Sequence, residues 1–157
     1  MFATRFRHPR PGKLSDVDPV DVALADALEA VGDRWSLLVL RALADAPLRF
    51  GEIEQRLGGS PGGIAPNVLI QRLRHLERRG VLVATPYSHR PVRMSYSLTD
   101  EGRSLQPALG ALAHWATRRS GGEPASHAAC GTELELRPWC PTCERVVDPD
   151  HDELHHL

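Results

Sequence analysis

The chain has 157 residues, 41% of them hydrophobic, and a formal net charge of −1. That length suits one domain of ordinary size with an appendage, and that apolar content is enough to bury a core. No apolar run approaches the roughly 20 residues of a membrane helix, and no signal-peptide core follows the basic start MFATRFRHPRPGK, so a cytoplasmic protein without a membrane partner is expected.

The near-neutral total hides segregation. Lys13 is the only lysine, so positive charge here means arginine. Residues 66–103 hold seven arginines against three acids, whereas residues 123–157 hold eight acids against two arginines. A basic middle suits a polyanion, and an acidic tail lowers the overall charge without neutralising that face.

Along the chain, residues 1–18 read as a basic, disordered arm rich in Pro and Gly. Asp21 is positioned to cap a helix ending at Val31, with Leu24, Leu28 and Val31 on one face and Gly32 after it. Asp33 should cap a second helix with Trp35, Leu38 and Leu43 inward, stopped by Pro47. RFGEIEQRL (49–57) reads as a third helix, with Phe50, Ile53 and Leu57 inward, and GGSPGGIA (58–65) as a loop.

PNVLIQRLRHLERRG (66–80) opens on proline and closes on glycine, the usual punctuation of a helix. At about 100° per residue, Leu69, Leu73 and Leu76 share one arc. Asn67, Gln71, Arg74 and Arg78 share the opposite one, with His75 on its edge and Arg72 and Arg79 on one flank. The only acid, Glu77, points away from that ridge. A solvated surface helix is the plain reading of such a pattern. Asn, Gln and Arg are, however, the side chains that hydrogen-bond adenine and guanine edges in pairs.

The period then changes. VLVATPYS (81–88) and VRMSYSL (92–98) read as strands joined by a turn at His89, Arg90 and Pro91. Thr99 can cap the next helix, Pro107 should kink or break it, and Leu105, Leu109, Leu112 and Trp115 continue an apolar stripe. SGGEPAS (120–126) is a linker. Three helices, a turn, a helix, a hairpin and a helix give a mainly α, α+β architecture: a winged helix-turn-helix over residues 19–119. In that layout the helix over 66–79 would enter the major groove of double-stranded DNA. The hairpin (87–93) would reach flanking DNA through His89, Arg90 and Arg93; an ordinary solvated turn is the alternative.

ALEAVGDRWSLLVLRAL, LRFGEIEQRL, IAPNVLIQRLRHLERRGVLVATPY and VRMSYSLTDEGRSLQPALGALAHWA resemble the HxlR-type winged-helix transcriptional regulators of bacteria across about residues 22–118. The G-D-R-W turn, P-N-x-L and Y-S-L-T-x-E-G-R carry the resemblance. It implies a homodimeric DNA-binding regulator, paired through the first and last helices, here by Leu24, Leu28, Leu109, Leu112 and Trp115. The sequence departs from the family twice. Val22 stands where many members carry a sensing cysteine, and residues 1–129 contain no cysteine, so thiol sensing by that route is excluded. Ala65 stands where the family usually caps the recognition helix with serine, at a cost of about 1 kcal/mol unless another group compensates.

All three cysteines follow the linker, as His127-x2-Cys130-x9-Cys140-x2-Cys143. Two close pairs around a short strand-forming segment resemble the halves of a small zinc ribbon, and Zn2+ accepts three thiolates and an imidazole in a closed structural site. A short, strongly acidic stretch (127–157) has little from which to build a core, and a metal would let it fold. Reduced free thiols or a Cys140–Cys143 disulfide are the alternatives, and His151, His155 and His156 are spare ligands. With no H-E-x-x-H and no H-x-E at His127, which is followed by two alanines, zinc hydrolysis is not expected, and the protein is not expected to be an enzyme. A protein-docking module is the other non-enzymatic reading; it would need an exposed apolar anchor on the ridge. The sequence names no small-molecule effector.

Overall fold

The structure, a computed structural model, describes residues 18–59, 62–135, 137–148 and 151–152, without the side chain of His89. Most of the expected N-terminal arm, and His155 and His156, lie outside the described residues.

Helix α1 (Pro19–Val31) starts one turn earlier than its periodicity suggests. Asp18, not Asp21, is the cap: its Oδ1 accepts the Val20 N–H at 2.9 Å. Pro19 supplies the first helical position, where it gives up no hydrogen bond. Gly32 ends the helix, its N–H donating to Leu28 O at 2.7 Å. A Cβ there would lie 2.3 Å from that same oxygen, so the close return requires glycine. Helix α2 (Arg34–Ala42) is capped by Asp33, which accepts from the N–H groups of Trp35 (3.0 Å) and Ser36 (3.1 Å).

Strand β1 (Leu48–Arg49) leads directly into helix α3 (Phe50–Gly58). Two residues are too few to alternate, so the sequence pattern folds β1 into the start of α3. Helix α4 (Pro66–Arg78) begins at Ala65 with no side-chain cap, as the alanine there requires. Strands β2 (Leu82–His89) and β3 (Val92–Leu98) form the wing, with β3 central in the antiparallel order β1-β3-β2. Leu48 lies opposite Tyr96, and Leu82 opposite Leu98. The register shifts between Pro86 and Ser88, next to a proline that has no N–H for the ladder.

Thr99 caps the short helix α5 (Asp100–Ser104), accepting the Gly102 N–H at 3.1 Å. A Cβ on Gly102 would lie 2.0 Å from Val81 O, so α5 can pack against the start of the wing only through glycine. The chain breaks at Leu105, and Pro107 sits in the first turn of a new helix, α6 (Gln106–Arg119), where proline costs nothing.

The core lies between α2, α3, α4 and the base of the wing. Leu40, Ile53, Leu69, Leu73, Leu76, Leu82 and Leu98 are buried in it, and each such side chain contributes on the order of 1.5–3 kcal/mol. Neither α1 nor α6 has a buried residue. Leu105 and Leu109 pack partly on the core, whereas Leu24, Leu28, Leu112 and Trp115 stay more than half exposed.

After α6 the expected linker is shorter than its composition suggests. Gly121, at φ 71°, turns the chain, and Ala125 already pairs with Leu134. Strands β4 (Trp139–Cys140) and β5 (Arg145–Val146) make a second, small hairpin. Among the described residues no helix is long and apolar enough to cross a membrane.

Candidate nucleic-acid interface and the Cys/His turns

Helix α4 presents three faces. Leu69, Leu73 and Leu76 enter the core. Arg72, His75 and Arg79, three and four residues apart, form a second edge that the surrounding structure uses up. Arg72 Nη1 donates to Asp33 Oδ2 at 3.2 Å, His75 Nε2 lies 2.9 Å from Ala30 O, and Arg79 Nη2 donates to Glu29 Oε1 at 2.6 Å. These contacts fasten α4 to the corner between α1 and α2. Asp33 therefore caps α2 and anchors α4 with one carboxylate. Partial burial works against its charge, but hydrogen bonds from Ser36 and the Arg72 guanidinium outweigh burial and hold the carboxyl below its ordinary value. The G-D-R-W turn thus has a physical reason in both its glycine and its aspartate.

The third face is the ridge of Asn67, Gln71, Arg74 and Arg78, all exposed. Among the described residues neither Arg74 nor Arg78 is in an ion pair, and the same holds for Arg90 and Arg93 on the wing. The contrast on one helix is sharp: arginines on the edge are neutralised, those on the ridge are not. Two of the residues expected to face a ligand, Arg72 and His75, are therefore half-buried structural contacts, because α1 crosses that side of α4. Arg90 and Arg93 are exposed at the wing tip, and the backbone of His89 ends β2 there.

An open cleft of about 650 Å³ separates α4 from the wing, and Arg49, Arg74 and Arg93 all line it. Arg49 is the residue that sequence reasoning missed. It comes from β1, and its guanidinium lies 4.5 Å from the Tyr87 ring centroid, a cation–π contact that holds it beside the wing. Only the β1–β3 pairing, a contact between distant residues, brings it to this face.

The four residues expected to bind metal fall into two turns. His127 Nδ1 lies 3.4 Å from Cys130 Sγ, and Cys140 is hydrogen-bonded to Cys143. The Cys143 and Thr142 groups hold the Cys140 thiol below its ordinary value, while donation to Cys140 raises that of Cys143. Among the described residues no three His, Cys, Asp or Glu side chains come together in one metal-sized group. His151 bonds Asp148 at 3.0 Å rather than joining either turn. Glu133, beyond the first turn, reaches α6: its Oε1 lies 3.4 Å from His114 Nε2 and 3.2 Å from Arg118 Nη1.

A helical trio, a helix with a cationic outward ridge and a two-stranded wing define a winged helix-turn-helix DNA-binding protein. The sequence profile of the HxlR-like helix-turn-helix family matches residues 30–123, and the chain belongs to that family. An uncharacterized HTH-type transcriptional regulator of Mycobacterium tuberculosis is 38% identical over 126 residues, covering 77% of each chain. YvaP, an uncharacterized HTH-type transcriptional regulator of Bacillus subtilis, is 40% identical over 91 residues, 58% of this chain and 81% of its own. The solved structure of a Pseudomonas aeruginosa transcription factor superposes with a TM-score of 0.61 at 29% identity, covering 83% of this chain and 89% of that one. The protein is accordingly a transcriptional regulator with a helix-turn-helix DNA-binding domain.

Proposed function

We propose that the chain is a sequence-specific regulator acting as a homodimer, with α4 in the major groove of double-stranded DNA and the wing (87–93) on the flanking backbone or minor groove. The observation that carries this reading is the division of α4: its edge arginines are paired within the protein, and its ridge arginines are left for a partner. Asn67, Gln71, Arg74 and Arg78 are base-contact candidates, and Arg90 and Arg93, joined by Arg49, suit phosphates. The exposed rows Leu24 and Leu28 on α1, and Leu112 and Trp115 on α6, with Leu109 at their base, support pairing with a second copy. A two-fold dimer implies a two-fold DNA site with half-sites about one helical turn, or a multiple of it, apart.

The test is fluorescence anisotropy against the intergenic DNA around the protein's own gene and a shuffled control, across a salt series. Binding should be salt-sensitive and prefer one natural region. Arg74→Ala or Asn67→Ala should weaken that preference by about 1–3 kcal/mol. Absence of low-salt binding by a folded dimer would refute the reading.

A further inference from the structure

The two Cys/His turns have the same construction, although nothing in their intervening sequence repeats. Each is a four-residue turn closed within a small antiparallel hairpin. In the first, His127 O accepts the N–H groups of Cys130 (3.2 Å) and Gly131 (2.7 Å), His127 N–H donates to Thr132 O at 2.8 Å, and Ser126 bridges Glu133. In the second, Cys140 pairs with Arg145 across the β4–β5 hairpin, and Val147 N–H donates to Pro138 O at 2.8 Å. Each turn is followed by a left-handed residue, Gly131 at φ 71° and Glu144 at φ 51°. Glu144 is the only non-glycine residue with positive φ among the described residues, so the second turn holds this shape against the cost of a side chain.

In the first turn the two candidate ligands already lie together, His127 Nδ1 being 3.4 Å from Cys130 Sγ, and both pairs have the x2 spacing of a metal-binding knuckle. Neither turn has an apolar reason to be ordered. No described residue between 120 and 152 is buried.

We propose that a single Zn2+ joins the two turns, with His127 and Cys130 from the first and Cys140 and Cys143 from the second as its four ligands. Three thiolates and an imidazole form a closed tetrahedral set of the structural kind. Joining the turns is what the metal would add, because the protein arrangement alone sets each pair but does not gather all four. The site also acts at a distance from its ligands. Glu133 lies three residues after Cys130 and contacts His114 and Arg118, so a zinc-ordered extension is fastened to α6, the helix that carries Trp115.

The experiment uses the full-length, tag-free protein purified without chelator. Elemental analysis should find about one zinc per chain. Cobalt substitution should give the intense visible d–d bands of a tetrahedral ion with sulfur-to-cobalt charge transfer, and X-ray absorption at the zinc edge should count three sulfurs and one nitrogen. Cys130→Ser and Cys140→Ser should each release the metal without changing the melting of the winged-helix core, and His127→Cys should keep it with an altered cobalt spectrum. Zinc retained in Cys130→Ser, a sulfur count of two, or a zinc-free protein with three reactive thiols or a Cys140–Cys143 disulfide would each overturn the joined site.

Discussion

The winged-helix region and the Cys/His extension are ordered by opposite means. The first places leucines from three helices and three strands into one core, with Leu40, Leu69 and Leu76 at 0% exposure. The second buries none of its described residues and is held by turns, two short hairpins and ion pairs such as Arg145 with Asp152. Exposed ion pairs contribute at most about 1 kcal/mol each, so the extension cannot offset its own ordering cost as the core does. The lesson is that hydrophobic pattern predicts only structure that hydrophobic burial stabilises.

The largest effect that tests this contrast comes from matched leucine truncations. Leu69→Ala removes a fully buried side chain and should destabilise the chain by about 2–5 kcal/mol in denaturant unfolding followed by helical circular dichroism. Leu134→Ala, at a position 46% exposed in the extension, should change the same transition by less than about 0.5 kcal/mol. Equal losses would mean that the two regions share a core and that the contrast is false.

The same distinction explains what the sequence made legible. Helices α2, α3 and α4 and the wing were readable because Leu69, Leu73 and Leu76, or Val81 through Leu98, repeat with the period of the element that buries them. The cap at Asp33 and the missing cap at Ala65 were readable because each depends on one side chain and its neighbours. Strand β1 was not, because its pairing with Ser95 and Tyr96 is a tertiary fact. The roles of Arg72 and His75 were hidden for the same reason. On a helical wheel they flank the ridge, and only the crossing of α1 shows that Glu29, Ala30 and Asp33 occupy that side. The cap of α1 was misplaced by one turn because Asp18 and Asp21 are equivalent by type, and the proline between them decides.

A smaller effect separates the two uses of arginine on α4. Asp33→Asn keeps a side chain able to cap α2 but removes the charge that Arg72 meets. The folded carboxyl lies below the ordinary aspartate value of 3.8. Its contribution is therefore fully present above that value and is lost as pH falls through the lower, folded one. Wild type should be more stable than Asp33→Asn by a few tenths to about 1 kcal/mol at neutral pH, the pair being partly exposed. The gap should close in strong acid, where both side chains are neutral. Urea melts across this range read it directly, and a gap that persists in acid would assign the effect to the cap instead of the ion pair.

The smallest effect sharpens the division within the proposed interface. If Arg90 touches only phosphate, Arg90→Ala should weaken natural and shuffled DNA alike and lower the magnitude of the log–log salt slope by about 1. Arg74→Ala should instead narrow the difference between the two DNAs. The wing and the ridge would then be distinguished by kind and not merely by size of effect: one loss independent of sequence, the other confined to the preferred site. The geometry supports this order, since Arg74 sits on a helix whose position three internal contacts fix, whereas Arg90 sits at an exposed turn with no ion pair among the described residues. A side chain must be held in register with base edges to read them, but phosphates tolerate a mobile partner. An Arg90→Ala variant that lost preference and not affinity would move base reading onto the wing.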